Sequence, residues 1–371
     1  MSSATYYGTH EGHAPYVGRC AGRRLTTSVL TRPDWLDLRL PLGADREHLR
    51  YVGQLAEPVR VDQAGALAAV DRIAAGLQTD LRMVNAPIYR LTDVDVSTGG
   101  IAGSVGLAGF FDYALTLDLL EAELGDALAT GLPTTPGQLP LRDRYLPDLA
   151  ALLDLAARMC AGGPPALTAI ARPAGRGQSR PDFLLLVQER SGRVLNAARR
   201  LAVIPKSFHG PLVDYAEDAQ VYRSVEREME EELFGREDVD SVFGDSRQAD
   251  PMHRSRLSAP MGWLADHLDD GSWRMECTGF GYNLLTGNYE FASLIVVHDD
   301  SWWTTYGGHI EANWESTGLR RYSTLDRDAL TALVLDPAWS NEGLFALLQG
   351  LRRLAEVGGD RTDLPDIDWG N

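Results

Sequence analysis

The sequence predicts a mixed α/β fold, a sheet flanked by helices, on three observations. Short runs alternate apolar with polar residues at the period of strands, and other segments repeat apolar residues every three or four positions as amphipathic helices do. The composition, 44% hydrophobic and 23% charged, is that of an ordinary folded chain rather than a disordered or fibrous one. A length of 371 residues suggests two domains, or one domain with a large elaboration.

The opening stretch to about Gly22 lacks periodicity and reads as irregular structure. Between Leu25 and Leu40, alternation around Arg32-Pro33-Asp34 predicts two short strands. From Asp62 to Leu77 the apolar residues Leu67, Val70, Ile73, Ala74 and Leu77 carry helical spacing, with Asp62 as N-cap. Period two returns from Ile88 to Val96 and from Ile101 to Phe110, so Thr98-Gly99-Gly100 closes a hairpin. Gly99 to Gly109 holds several glycines, but this alternation argues against a dinucleotide fingerprint.

Helical spacing resumes from Tyr113 to Leu128 and stops at the breaker-rich segment 131–137. A further helix is expected from about Leu146 to Cys160. Ala166–Ala171 and Phe183–Glu189 read as buried strands on either side of the loop Pro173–Pro181. A boundary near 161–181 divides the chain into an N-terminal α/β region, 1–165, of unassigned role, and a second region, 166–371. The two buried strands leave open that both halves share one sheet.

A formal charge of −17, from 52 acidic and 35 basic residues, would repel a polyanion, so nucleic acid is not an expected partner. Cys20, Cys160 and Cys277 lie far apart, which supports neither a disulfide framework nor a thiolate metal site and suits a reducing compartment. No basic segment followed by an apolar run opens the chain, and no stretch is long and apolar enough to span a bilayer. A cytoplasmic protein without a membrane partner is the expectation.

Strand patterns over Phe183–Gln188 and Val194–Ile204 lead through the loop Pro205–Pro211 to one helix that carries chemistry. Its apolar residues Val221, Val225, Met229 and Leu233 form a stripe, and Gly235 ends it. At 100° per residue Glu228, Glu231 and Glu232 share one sector, whereas Glu226 and Glu230 point toward solvent. Carboxylates so placed repel one another unless a cation lies among them, and oxygen ligands of this kind suit Mg²⁺ or Mn²⁺. The plain alternative is a Glu-rich solvated helix face.

Arg227-Glu228-Met229-Glu230-Glu231-Glu232 resembles the core of the Nudix box, and it lies on a helix after a strand and a glycine-containing loop. The resemblance implies a Nudix-like mixed sheet between helices and Mg²⁺-assisted hydrolysis of a nucleoside diphosphate linked to another group. It assigns metal binding to Glu228, Glu231 and Glu232, and to Arg227 the orientation of a carboxylate in the same motif. The sequence departs from the box at Ala219, where a glutamate is usual, and at Phe234, where glycine is usual. Pro205-Lys206-Ser207 replaces the usual entry. The segment is also similar to actinobacterial proteins with a degenerate Nudix-like domain, through Tyr222-Arg223, Glu231-Glu232-Leu233-Phe234-Gly235 and Thr278–Asn283.

Other residues fit around that reading. His209 and Lys206, in the loop before the helix, are candidates for a catalytic base or phosphate contact and for a phosphate contact respectively, against the plainer role of polar surface. The aromatic run Trp302–Tyr306 is expected to pack in the core or a lid, with base stacking as the alternative. Glu311 and Glu315 could supply a remote general base. Two functions therefore stand: a metal-dependent hydrolase of a phosphoanhydride in a nucleotide-like substrate, or a non-catalytic sensor that binds such a ligand. The N-terminal half would cover the site, add contacts or mediate self-association.

Overall fold

The structure is a computed structural model, and it describes residues 4–8, 12–55, 63–79, 81–175, 179–236 and 250–370. The strands are β1 Ala14–Cys20, β2 Arg23–Thr31, β3 Leu36–Pro41, β4 Glu47–Gln54, β5 Pro87–Ser97, β6 Gly100–Gly109, β7 Gly162–Gly163, β8 Ala166–Arg172, β9 Asp182–Arg190, β10 Leu201–Val203, β11 Trp273–Asn283, β12 Tyr289–Val297, β13 Ser316–Ser323 and β14 Ile367–Asp368. One eleven-stranded sheet runs β10-β9-β8-β12-β11-β2-β1-β14, with β13 on β9, β3 on β11 and β7 on β12. A second sheet has the order β4-β6-β5. Parallel pairs (β8 and β7 with β12, β4 with β6) mix with antiparallel ones, so the fold is mixed α/β as expected.

The large sheet crosses the 165/166 division. β2 pairs with β11, β3 with β11 and β1 with β14, so the N-terminal region completes the sheet built by the later residues. The small sheet belongs to the N-terminal region alone.

Strand alternation sorts the core into two layers. On β8 and β9, Leu167, Ala169, Phe183, Leu185 and Val187 face one layer together with Phe345, Leu348 and Leu351 of the helix Asn341–Val357. Ile170, Leu184 and Leu186 face the other layer, which contains Val221, Val225, Met229 and Leu233. Three helices matter below: α1 Gln63–Gln78, α2 Val221–Glu228 and α3 Asn341–Val357.

The opening stretch is more regular than expected. Ala4–Tyr7 is helical and β1 forms a hairpin with β2, turning through Ala21 (φ 48°) and Gly22 (φ 76°). Two consecutive left-handed residues match the right-handed twist of the strands they join. The expected helix after Tyr113 breaks into Phe110–Ala114 and Leu119–Thr130, and only Leu149–Leu153 is helical between Leu146 and Cys160. There the Arg158 side chain takes carbonyls, donating to Leu152 O at 2.6 Å and Gly287 O at 2.7 Å. Within Val194–Ile204 only β10 is a strand, because Ala197 and Arg199 adopt left-handed conformations that interrupt a ladder.

Helix α1 forms where its periodicity predicts, though Asp62 lies outside the described residues. Its large apolar residues do not pack inward: Leu67 and Leu77 are 75% and 82% exposed. Gly65, Ala69 and Gly76 face the protein instead, and Arg72 forms an ion pair with buried Asp118. Small residues allow a close approach that leucines would block. No helix among the described residues is long and apolar enough to cross a membrane.

Candidate functional site

Helix α2 begins where β4 supplies an acceptor. Gln220 occupies the N-cap position without a side-chain cap. The Glu47 carboxylate, 3% exposed, accepts the backbone N–H of Tyr222 at 3.2 Å and of Gly43 at 2.9 Å. It thereby satisfies a donor that the first helical turn leaves without a partner. Burial, the larger influence, lifts its carboxyl to about 7.

The stripe Val221, Val225, Met229 and Leu233 is buried, and Gly235, at φ 63°, ends the segment as expected. After Glu228 the helix widens into a π turn over Met229–Leu233. In such a turn hydrogen bonds reach five residues rather than four, so the 100° spacing no longer fixes direction. Glu230 therefore points inward, correcting the expectation that it faces solvent. Its Oε1 accepts the Ser258 N–H at 2.7 Å and an Arg236 N–H at 3.4 Å. Glu226 is partly buried near Arg223.

Glu228, Glu231 and Glu232 are buried as well. Gln188 and Arg190 continue the face of β9 that carries Leu184 and Leu186, so the two-residue period aims them at the helix. Glu232 accepts from the Lys206 backbone N–H at 2.8 Å, from Gln188 Nε2 at 3.3 Å and from Arg190 at 3.3 Å. Arg190 also pairs with Glu315 at 2.9 Å. The loop acid Glu315 thus joins the box cluster, whereas Glu311 is engaged in a backbone bridge with Phe234. Burial, then the charges of Glu315 and Glu228, push the Glu232 carboxyl well above the usual range, while Arg190 and the Lys206 amide oppose them.

Arg227 lies 3.4 Å from Glu228 through Nε and donates to Gly210 O at 3.1 Å. Lys206 turns its ammonium away from the box: Nζ meets Asn196 Oδ1 at 2.5 Å and Glu342 at 3.3 Å, at the start of α3. Asn283 Nδ2 donates to the same Glu342 at 3.4 Å. His209 is 1% exposed, with Nδ1 3.0 Å from the Tyr289 hydroxyl and its ring centroid 4.7 Å from that of Tyr89. Burial first, then the Arg227 charge, lower its pKa to about 3, so the ring is neutral. Trp302 is buried in the core, while Trp303 and Tyr306 pack against it from its edge.

An oxygen-ligated divalent ion needs several carboxylates converging with lone pairs to offer. Glu232 already faces three N–H donors, and Glu228 faces Arg227. Among the described residues no three acidic, histidine or cysteine side chains gather as ion ligands. As arranged, these carboxylates are directed at internal N–H donors.

A cavity of about 150 Å³ opens instead beside the first half of α2. Arg223, Ser224, Glu226 and Arg227 form its helical wall, the loop from Gly210 to Asp218 another, and Asp250, Met252 and His253 a third. Glu228, Glu231 and Glu232 do not line it. No family model and no curated protein matches the chain. The site therefore rests on its own geometry.

Sequence reasoning missed Glu47, Gln188, Arg190 and Glu342. Gln188 and Arg190 carried a signal, since they extend the inward alternation of Leu184 and Leu186. Glu47 and Glu342 carried none, because their roles arise from contacts 175 and 136 residues away in sequence.

Proposed function

We propose that the protein is a non-catalytic small-molecule binder, a sensor or regulatory protein, whose ligand occupies the cavity beside α2. The observation that carries this reading is the placement of Glu232. Its carboxylate is 1% exposed and answered by Arg190, Gln188 and the Lys206 amide, which makes it a brace joining helix, strand and loop. A divalent ion would compete there with three N–H donors for the same two oxygens. The Nudix resemblance supplies the scaffold in this reading and the cavity supplies the function.

The alternative is metal-dependent hydrolysis of a phosphoanhydride in a nucleotide-like substrate. It draws support from Glu228 and Glu315, which lie near enough to Glu232 to raise its proton affinity. A screen of nucleoside diphosphate derivatives and small metabolites, with and without Mg²⁺, separates the two when scored for thermal stabilisation and for phosphate-containing products. Stabilisation without product, retained in Glu231→Gln, is the expected result. Metal-dependent product lost in Glu231→Gln or Glu232→Gln would overturn it.

A further inference from the structure

This inference rests on the binding reading and narrows its ligand. The cavity wall is acidic: Asp214, Glu217, Asp218, Glu226 and Asp250 line it, against Arg223, Arg227 and His253. Arg227 is engaged by Gly210 and Glu228. Arg223 stands 3.6 Å from both Glu217 and Glu226, too far for a hydrogen bond to either. It shows, from the protein's own chain, a guanidinium loosely suspended between two carboxylates.

Ser224 adds a buried polar group to the same wall. It borders the cavity, is 1% exposed, and its hydroxyl has no hydrogen-bond partner among the described residues. A buried hydroxyl without a partner is costly, and a group donating to its oxygen would answer its lone pairs. At about 150 Å³ the cavity far exceeds the ~10–15 Å³ that admits one water.

We propose that the cavity binds a small organic cation whose ammonium or guanidinium donors reach Ser224 Oγ on one flank of the helical wall and the Glu226 carboxylate on the other. An ammonium carries three donors and a guanidinium five, with no acceptors, which complements a wall rich in acceptors. Polyphosphate would meet a wall of its own sign.

Calorimetric titration of the full chain with agmatine and putrescine as cations, ADP with and without Mg²⁺ as anion, and ribose as neutral probe tests the assignment. We expect one saturable site for at least one cation, weakened about tenfold or more (~1.4 kcal/mol) in Glu226→Gln and lost in Ser224→Leu, which removes the hydroxyl and crowds the cavity. If Ser224→Leu does not fold, Glu226→Gln decides. ADP or ribose binding that is lost in Ser224→Leu, with neither cation bound, would overturn the cation while sparing the binding site. If no probe binds, both readings fall. Cation binding unchanged in both variants would place it elsewhere and overturn the inference.

Discussion

The backbone N–H of Lys206 donates to the Glu232 carboxylate at 2.8 Å, which fastens the loop after β10 to the π turn of the acidic helix. With Arg190 and Gln188 on the same carboxylate, the most acidic stretch of the chain is held by internal partners. Removing the carboxylate leaves the buried Lys206 N–H without a partner, at a cost of about 1–3 kcal/mol, while Arg190 keeps Glu315. Glu232→Ala is expected to lose that much in urea denaturation, and Glu232→Gln less. An unchanged midpoint for Glu232→Ala would refute the brace.

Lys206 makes a second anchor through its ammonium, to Glu342 and Asn196. Lys206→Met should destabilise by about 3–5 kcal/mol, and Lys206→Met with Glu342→Gln by less than the sum of the single changes. A double-mutant cycle measures the coupling. Additivity within about 0.5 kcal/mol would show that the pair contributes no specific interaction.

His209 gives an acid-sensitive element. Its neighbours are the Tyr89 ring, the Tyr289 hydroxyl and the Arg227 charge, so the folded state keeps it neutral down to about 3. The unfolded chain binds a proton at its ordinary value of 6.5, and below that pH the unfolded state holds more protons. Stability attributable to this group is present above about pH 6.5 and falls by up to about 1.4 kcal/mol per pH unit as pH drops toward 3. His209→Asn should flatten the pH dependence between 7 and 5 relative to the parent; identical slopes would refute this assignment.

The orientation of α1 is open to a simple comparison. Leu77→Gln and Leu67→Gln alter exposed side chains and should shift stability by no more than about 0.5 kcal/mol. Leu233→Ala removes a buried one and should cost about 2–5 kcal/mol. If the α1 changes cost as much as Leu233→Ala, the outward face is wrong.

What could be read from the sequence follows from where information is local. The alternation of Ile88–Val96 and Ile101–Phe110, the stripe from Val221 to Leu233 and the stop at Gly235 each depend on neighbours in the chain, and each has its counterpart in the structure. The helix at Gln63–Gln78 formed on its own pattern, but which face turned inward was decided by Gly65, Ala69, Gly76 and the Arg72–Asp118 pair. Glu230 turns inward because the π turn departs from the regular helical period that would aim it at solvent. Arg158 and the left-handed residues Ala197 and Arg199 shortened elements that apolar pattern alone would prolong. Of the site, the box residues were visible as a motif, whereas the cavity, assembled from Gly210–Asp218, α2 and Asp250–His253, exists only after folding.

The hydrogen bonds that β2 and β3 form with β11 have a practical corollary. A fragment beginning at Ala166 would lose these partners and leave the outer edge of β11 bare, a template for sticking to other chains. It would also lack the Glu47 carboxylate that steadies the first turn of the acidic helix. The smallest piece that could be excised and still behave as a soluble unit is therefore larger than the segment that bears the recognisable motif.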